Sequence, residues 1–246
     1  MGNLQEILAR YTHIKCFLKG PPGDGKTFAA AMISHLCPTL FIDVEGGIVS
    51  ARDVVNRENL TVRLIKQANP KTFFEELGVV AAEAASGNYG AVVVDSISEI
   101  VGRMEDEYAC ASADGKVGAQ DWYRLTERVK KFARFLRDLN CHTIVTSITK
   151  PTGRDEDAKS IFEPVLPGQT SAVVQSFFDI VALMRKKPAA GRRGTDYFLV
   201  TDGPSVFQVR DRTRTLDAEE LIDASKPGTV WKKALAGIMK ISGKEA

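Results

Sequence analysis

Eight residues constrain this chain more than any others. Gly20-Pro21-Pro22-Gly23-Asp24-Gly25-Lys26-Thr27 matches the P-loop pattern of a glycine, four residues, then Gly-Lys-Ser/Thr. Ahead of it, Ile14, Cys16, Phe17 and Leu18 read as a short buried strand. Behind it, residues 28–36 run Phe-Ala-Ala-Ala-Met-Ile and onward, and read as a helix. The motif therefore stands between a strand and a helix start, where its mechanism requires it.

The chemistry follows from the residue types. Backbone N–H groups converge on a polyphosphate only where side chains are absent, and Gly20, Gly23 and Gly25 permit that path. The new helix adds unpaired N–H groups and its positive dipole end. Lys26 reaches the terminal phosphates as a point charge, and the Thr27 hydroxyl is a Mg²⁺ ligand. Gly20 to Thr27, with Phe28 following, are thus the expected ATP-binding residues. A glycine-rich turn that merely caps a helix is the bland alternative.

At 246 residues the chain is most simply one α/β domain with a sizeable core. No stretch approaches the length of a membrane-spanning helix. The first residues lack the basic and apolar regions of a signal peptide, and the myristoylation pattern also fails. Cys16, Cys37, Cys110 and Cys141 are far apart and share no metal-ligand spacing, so reduced thiols are the expectation. Together these features predict a cytoplasmic protein with no membrane partner. A net charge of +2 neither demands nor excludes nucleic acid.

Along the chain, strands are expected at residues 40–43, 60–65, 91–95, 142–148 and 177–184. Helices are expected at 28–36, 71–86, 97–108, 120–140, 170–176, 216–224 and 230–241. In the strongest of these, 120–140, Trp122, Leu125, Val129, Phe132, Leu136 and Leu139 recur at helical spacing with six cations on the other faces. Residues 110–119 and 150–169 read as loops, the second long enough to be functional or disordered. Residues 197–201 and 206–210 suggest a hairpin around Asp202-Gly203. Alternating strands and helices imply a mainly parallel sheet flanked by helices, with an antiparallel C-terminal edge.

A P-loop needs a carboxylate to hold its metal. Asp95, ending Ala-Val-Val-Val-Asp, is the natural candidate, and capping the helix after it is a compatible role. Hydrolysis also needs a group to orient the attacking water. Many P-loop ATPases carry a Glu directly after the metal-holding Asp, but here that position is Ser96. Glu45 is the best substitute, since it follows the strand at 40–43 at the ligand-binding edge of the sheet. A solvent-facing Glu at a strand end is the alternative.

At this point a resemblance becomes specific. Phe41-Ile42-Asp43-Val44-Glu45 followed by Ser50-Ala51-Arg52 resembles the second strand of RecA-type cores, and Val92-Val93-Val94-Asp95-Ser96 resembles their metal-binding strand. Leu166 to Thr170 through Phe178 to Val181 is similar to the segment after that family's second DNA-binding loop. Phe207-Gln208-Val209-Arg210-Asp211-Arg212 resembles the strand whose basic residues reach a neighbouring subunit's γ-phosphate. The likeness runs over about residues 13–215, leaving a short C-terminal helical extension at 216–246. The stretch before Gly20 is too short for a recombinase's N-terminal oligomerisation domain. The strand at 142–148 lacks the family's γ-phosphate-sensing Gln; Ser147 or Ile148 falls nearby. This trimmed pattern is most similar to phage-encoded RecA-like ATPases that anneal single strands.

The resemblance implies a P-loop NTPase fold of RecA-like type and an ATPase using ATP and Mg²⁺. Lys26, Glu45, Arg210 and Arg212 would be catalytic, and Thr27 and Asp95 would hold the metal. It also implies a ring or filament of identical subunits in the host cytoplasm, with single-stranded DNA and a single-strand-binding protein as partners. Residues 104–121 and 150–169 would be the DNA-facing loops, with Lys116, Lys150, Arg154 and Lys159 on phosphates and Phe162 stacking on a base. The second loop also carries Asp155, Glu156, Asp157 and Glu163, so a nearly neutral solvated lid is the alternative. Lys186-Lys187 and Arg192-Arg193 form a basic turn, either a phosphate patch or a soluble hairpin tip. Rival functions are a P-loop kinase or protein-partner ATPase that ignores DNA, and an ATP-gated binding module with little turnover.

Overall fold

The computed structural model describes residues 11–66, 69–154, 160–168, 170–191, 193–203 and 208–243. β1 (Lys15–Gly20) leads through the P-loop into α1 (Lys26–Ala31), which tightens into a 3-10 turn at Met32–His35. β2 (Thr39–Asp43), a 3-10 turn at Gly47–Ala51 and β3 (Leu60–Leu64) follow. α2 (Pro70–Ala84) starts on Pro70, and the Asn69 side chain accepts from the Lys71 N–H, a cap of the usual kind. β4 (Ala91–Asp95) runs into α3 (Ile97–Ala111), capped by Ser96, and then α4 (Ala119–Asp138). β5 (His142–Arg154), β6 (Ser160–Pro164), α5 (Thr170–Ser176), β7 (Ile180–Pro188) and β8 (Thr195–Val200) come next. β9 (Arg210–Asp211), β10 (Glu219–Leu221) and α6 (Thr229–Ile241) complete the described chain.

The strands line up in the order β10-β8-β7-β1-β5-β4-β2-β3, with β6 beside β5 and β9 beside β7. β3, β2, β4, β5, β1 and β7 pair in parallel, while β8 and β10 add the antiparallel edge. The parallel strands are buried on both faces, and their two-residue alternation divides the core. Phe17, Leu40, Ile42, Val92 and Val94 face α2, α3 and α4. Cys16, Leu18, Phe41 and Val93 face α1 and α6 instead. On that second face Trp231 is fully buried and donates its indole N–H to the Ala29 carbonyl at 2.8 Å. Trp231→Ala should therefore lower unfolding stability by about 3–5 kcal/mol. The readout is the urea midpoint, and an unmoved midpoint would show that α6 contributes little to this core.

β1 carries two interior ammonium groups. Lys15 donates to the Leu139 and Cys141 carbonyls and the Thr143 hydroxyl, at 2.6 to 2.9 Å. Lys19, with no exposed surface, donates to the Gln175 side-chain oxygen at 2.9 Å and the Gln208 carbonyl at 3.2 Å. Burial lowers both from the ordinary lysine value to about 8.

Four expectations are corrected. Residues 150–169 are not one loop, because β5 continues to Arg154 and pairs antiparallel with β6, Lys150 facing Glu163. Residues 216–224 are not helical: β10 pairs with β8, burying Glu220 and Ile222 while exposing Glu219 and Leu221. Residues 197–201 form no hairpin with 206–210. Both edges of β8 are taken by β7 and β10, and β9 pairs with β7; residues 206 and 207 lie outside the described set. In α4, Leu125, Val129, Leu136 and Leu139 are buried as the spacing predicts, but Trp122, on the helix's first turn, is 42% exposed. Among the described residues no helix is long and apolar enough to cross a membrane.

Candidate active site

β1 delivers the chain to the carboxyl end of the parallel strands, and residues 21–25 carry it into α1. Gly25 has φ +84°, and a Cβ there would lie 2.5 Å from the Tyr197 ring, so backbone angle and space both demand glycine. The Lys26 ammonium is buried and donates to the Gly20 and Pro21 carbonyls, each at 2.9 Å. Burial pulls its pKa down, opposed by the nearby charges of Glu45, Asp95 and Asp24.

Asp95 ends β4 and is buried. The Thr27 hydroxyl donates to one of its oxygens at 2.6 Å, and the Thr146 hydroxyl on β5 donates to the other. Burial pushes the Asp95 carboxyl up. The Thr146 and Thr27 hydrogen bonds hold it down, and the Glu45 and Asp43 charges push it up further. Hydroxyl and carboxylate oxygens are the donors Mg²⁺ prefers, and that ion takes only one or two carboxylates beside phosphate and water. Among the described residues no cluster of three His, Cys, Asp or Glu side chains offers an all-protein cage. Gly47 leaves the place open, since a Cβ there would lie 3.1 Å from the Thr27 hydroxyl and 3.2 Å from Asp95.

Glu45 is placed by its neighbours. The buried Asp43 carboxylate accepts the Gly46, Gly47 and Ile48 N–H groups at 2.6, 3.1 and 3.1 Å, tying the end of β2 into a tight turn. The Ser96 hydroxyl then donates to Glu45 Oε1. Ser96, at the position where many P-loop ATPases carry a Glu, thus holds the Glu supplied by another strand. Glu45, Lys26, Thr27, Pro22, Gly23, Gly25 and Phe28 line one cavity of about 280 Å³, together with Ser50, Ile148 and Tyr197. Tyr197 packs 5.5 Å from Phe28, ring to ring. Asp24 stands at the loop's outer side, its Oδ1 3.4 Å from Lys186 Nζ.

Arg210 and Arg212 do not join this cavity. Arg210 donates to the Gln175 and Phe178 carbonyls at 2.6 and 2.7 Å. Arg212 pairs with Asp179 at 3.2 Å and is 49% exposed, beside a separate cavity shared with Tyr11, Lys15 and Arg137. Lys15 and Gly20 bracket β1, so that cavity and the P-loop are separated by about 17 Å of strand.

The nucleic-acid candidates are spread more widely. Lys116 is exposed between α3 and α4, and Lys150 and Arg154 lie on β5. Lys159, Arg192 and Asp155 to Asp157 lie outside the described residues. Phe162 sits over the nucleotide side of the sheet, sharing a small cavity with Pro21 and Asp24. Most α4 cations are engaged within the chain: Arg124 with Asp121, Arg128 with Glu107, Lys130 with Glu127 and Arg137 with Asp138.

Sequence reasoning missed Asp43, Thr146 and Tyr197, and offered Lys186 only as part of a basic turn, either a phosphate patch or a soluble hairpin tip. Asp43 had a local signal, an Asp three and four residues before Gly-Gly, as in side-chain-capped turns. The other three reach the site only through strand pairing.

These are the parts of a P-loop ATPase on a mainly parallel sheet, with β5 between the P-loop strand and the strand bearing Asp95. Residues 12–224 match the AAA domain family, and the chain belongs to it. No curated protein matches the sequence. Among solved structures, a KaiC-like protein from the hyperthermophilic archaeon Pyrococcus horikoshii OT3 is similar at 14% identity. That match covers 75% of this chain and 76% of the other, with a TM-score of 0.41.

Proposed function

We propose that this ATPase is Mg²⁺-dependent and acts on single-stranded DNA, in recombination or strand annealing of the kind associated with phage-encoded RecA-like proteins. The observation that carries the DNA reading is the course of β5. The strand supplies Thr146 to Asp95 and Ile148 to the nucleotide cavity, then continues, through an irregularity between Pro151 and Gly153, into the hairpin bearing Lys150 and Arg154. Phe162 brings the returning strand back beside Pro21 and Asp24. A change at the phosphates and a load on the hairpin therefore meet on the same backbone.

In this reading Lys26 and the loop amides bind phosphate, and Thr27 and Asp95 hold Mg²⁺, which neutralises charge on the phosphates when bound. Glu45 orients the attacking water. Arg212, exposed at the end of β1 away from its own P-loop, serves the nucleotide of a neighbouring copy. That requires a head-to-tail ring or filament. Arg210, held by two carbonyls, is the less available of the pair. Lys116 and Lys150 contact DNA phosphates, and a single-strand-binding protein is a further partner.

The test is ATP hydrolysis with and without single-stranded DNA across a salt series. Stimulation that fades with salt, as phosphate contacts do, is expected. Hydrolysis indifferent to DNA at every salt concentration would move the assignment to a kinase or protein-partner ATPase. One observation favours a second reading, an ATP-gated binding module. Ile148 presents an apolar side chain to the cavity, and the Ser147 hydroxyl is engaged with Ser98 at 2.9 Å, so neither replaces the family's γ-phosphate-sensing Gln. Equal DNA annealing with ATP and a non-hydrolysable analogue would select it.

A further inference from the structure

A loop built to collect negative charge contains a carboxylate of its own. Asp24 lies between Gly23 and Gly25, both with positive φ, and its side chain is only 13% exposed. It is drawn in against the protein beside Phe162, so water screens it poorly. Its charge is felt at Lys26, the residue that receives phosphate, so a nucleotide bound there meets it too.

The compensating charge comes from β7, which pairs with β8 in the antiparallel part of the sheet. Lys186 on β7 puts its ammonium 3.4 Å from Asp24 and 3.5 Å from where a Gly23 side chain would begin. Its partner across the antiparallel pair is Tyr197 on β8. Directly opposed residues project to the same face of a sheet, and Tyr197 is the residue covering Gly25. One cross-strand pair therefore grips the P-loop at two points, an ion pair on Asp24 and a ring on Gly25. The next residue, Lys187, points to the other face and meets Glu219 at 2.5 Å. The alternation of the strand thus separates two adjacent lysines with different tasks.

We propose that Lys186 is a positioning residue for nucleotide binding: it neutralises Asp24, so that the P-loop can accept a nucleoside triphosphate and prefer it to the diphosphate. The preference arises because an uncompensated carboxylate repels the more highly charged ligand more strongly. The inference rests on nucleotide binding at the P-loop and holds whether or not DNA is the effector.

The experiment is a charge cycle on the full chain: wild type, K186A, D24N, the double variant and K186R. Each is titrated with MgATP and MgADP by calorimetry at two salt concentrations. K186A should weaken MgATP binding about three- to tenfold, and MgADP binding less, with the ATP loss shrinking at high salt. Adding D24N to K186A should restore MgATP affinity to within about twofold of wild type. K186R, which keeps the charge, should bind as wild type does. An unchanged affinity in K186A overturns the proposal. So does an equal loss in the D24N background, which would mean that Lys186 acts without Asp24. Equal losses for MgATP and MgADP that ignore salt would reduce Lys186 to a packing role and overturn it as well.

Discussion

Glu45→Gln should leave MgATP bound within about threefold of wild-type affinity while lowering turnover by about two to four orders of magnitude. The substitution keeps the size of the side chain. It also keeps an oxygen for the Ser96 hydroxyl, so the turn held by Asp43 is undisturbed. What it removes is the charge and basicity needed to draw a proton from attacking water. Single-turnover hydrolysis separates the two effects, because binding and chemistry are then measured on one sample. Turnover near the wild-type level would exclude Glu45 as the base and return attention to the other groups lining the cavity.

Lys26→Ala should lose both binding and turnover. A buried charge left without its partner costs about 3–5 kcal/mol, which is roughly two to four orders of magnitude in MgATP affinity. Lys26 ties down the Gly20 and Pro21 carbonyls in the structure, so it is already held at the loop that must receive phosphate. The variant should still fold, losing up to about 3 kcal/mol of unfolding stability by urea titration, because the cost of the two lost hydrogen bonds is offset by no longer burying the ammonium. MgATP affinity unchanged in a folded variant would mean that the loop amides alone carry the phosphate.

The two variants also mark how far the sequence could be read. Lys26 and Thr27 were legible because local spacing alone defines the P-loop. Asp95 was legible because a β-branched run of Ala-Val-Val-Val bounded by Gly90 and Asp95 reads as a buried strand, whose last residue emerges at its carboxyl end. Glu45 was partly legible, but the reason it is held there was not. That reason is Ser96, fifty-one positions away and brought close by the pairing of β2 with β4. The errors have the same origin. Residues 150–169 have the prolines, glycines and mixed charge of a loop, yet pairing between β5 and β6 overrides local composition. Residues 216–224 have helical composition, but β8 offers an open edge and β10 takes it. Trp122 has the right spacing for the core and lies on the first turn of α4, outside the stretch that packs.

The two buried lysines of β1 also bear on the phosphate site. Their hydrogen-bond acceptors are carbonyls, a hydroxyl and a side-chain amide, all formally neutral, and carboxylates act on them only through space, Glu163 on Lys19 and Asp179 and Asp138 on Lys15. Mobile ions screen the fully buried Lys19 much less than they screen a surface cation. Lys19, next to Gly20, therefore places a buried positive charge beside the start of the P-loop, while Lys15 sits at the far end of the strand. Surface cations surrender their attraction as salt rises, whereas this contribution persists. With Lys19 lowered to about 8, it is switched by protons instead: it is present at neutral pH and fades as solutions become alkaline.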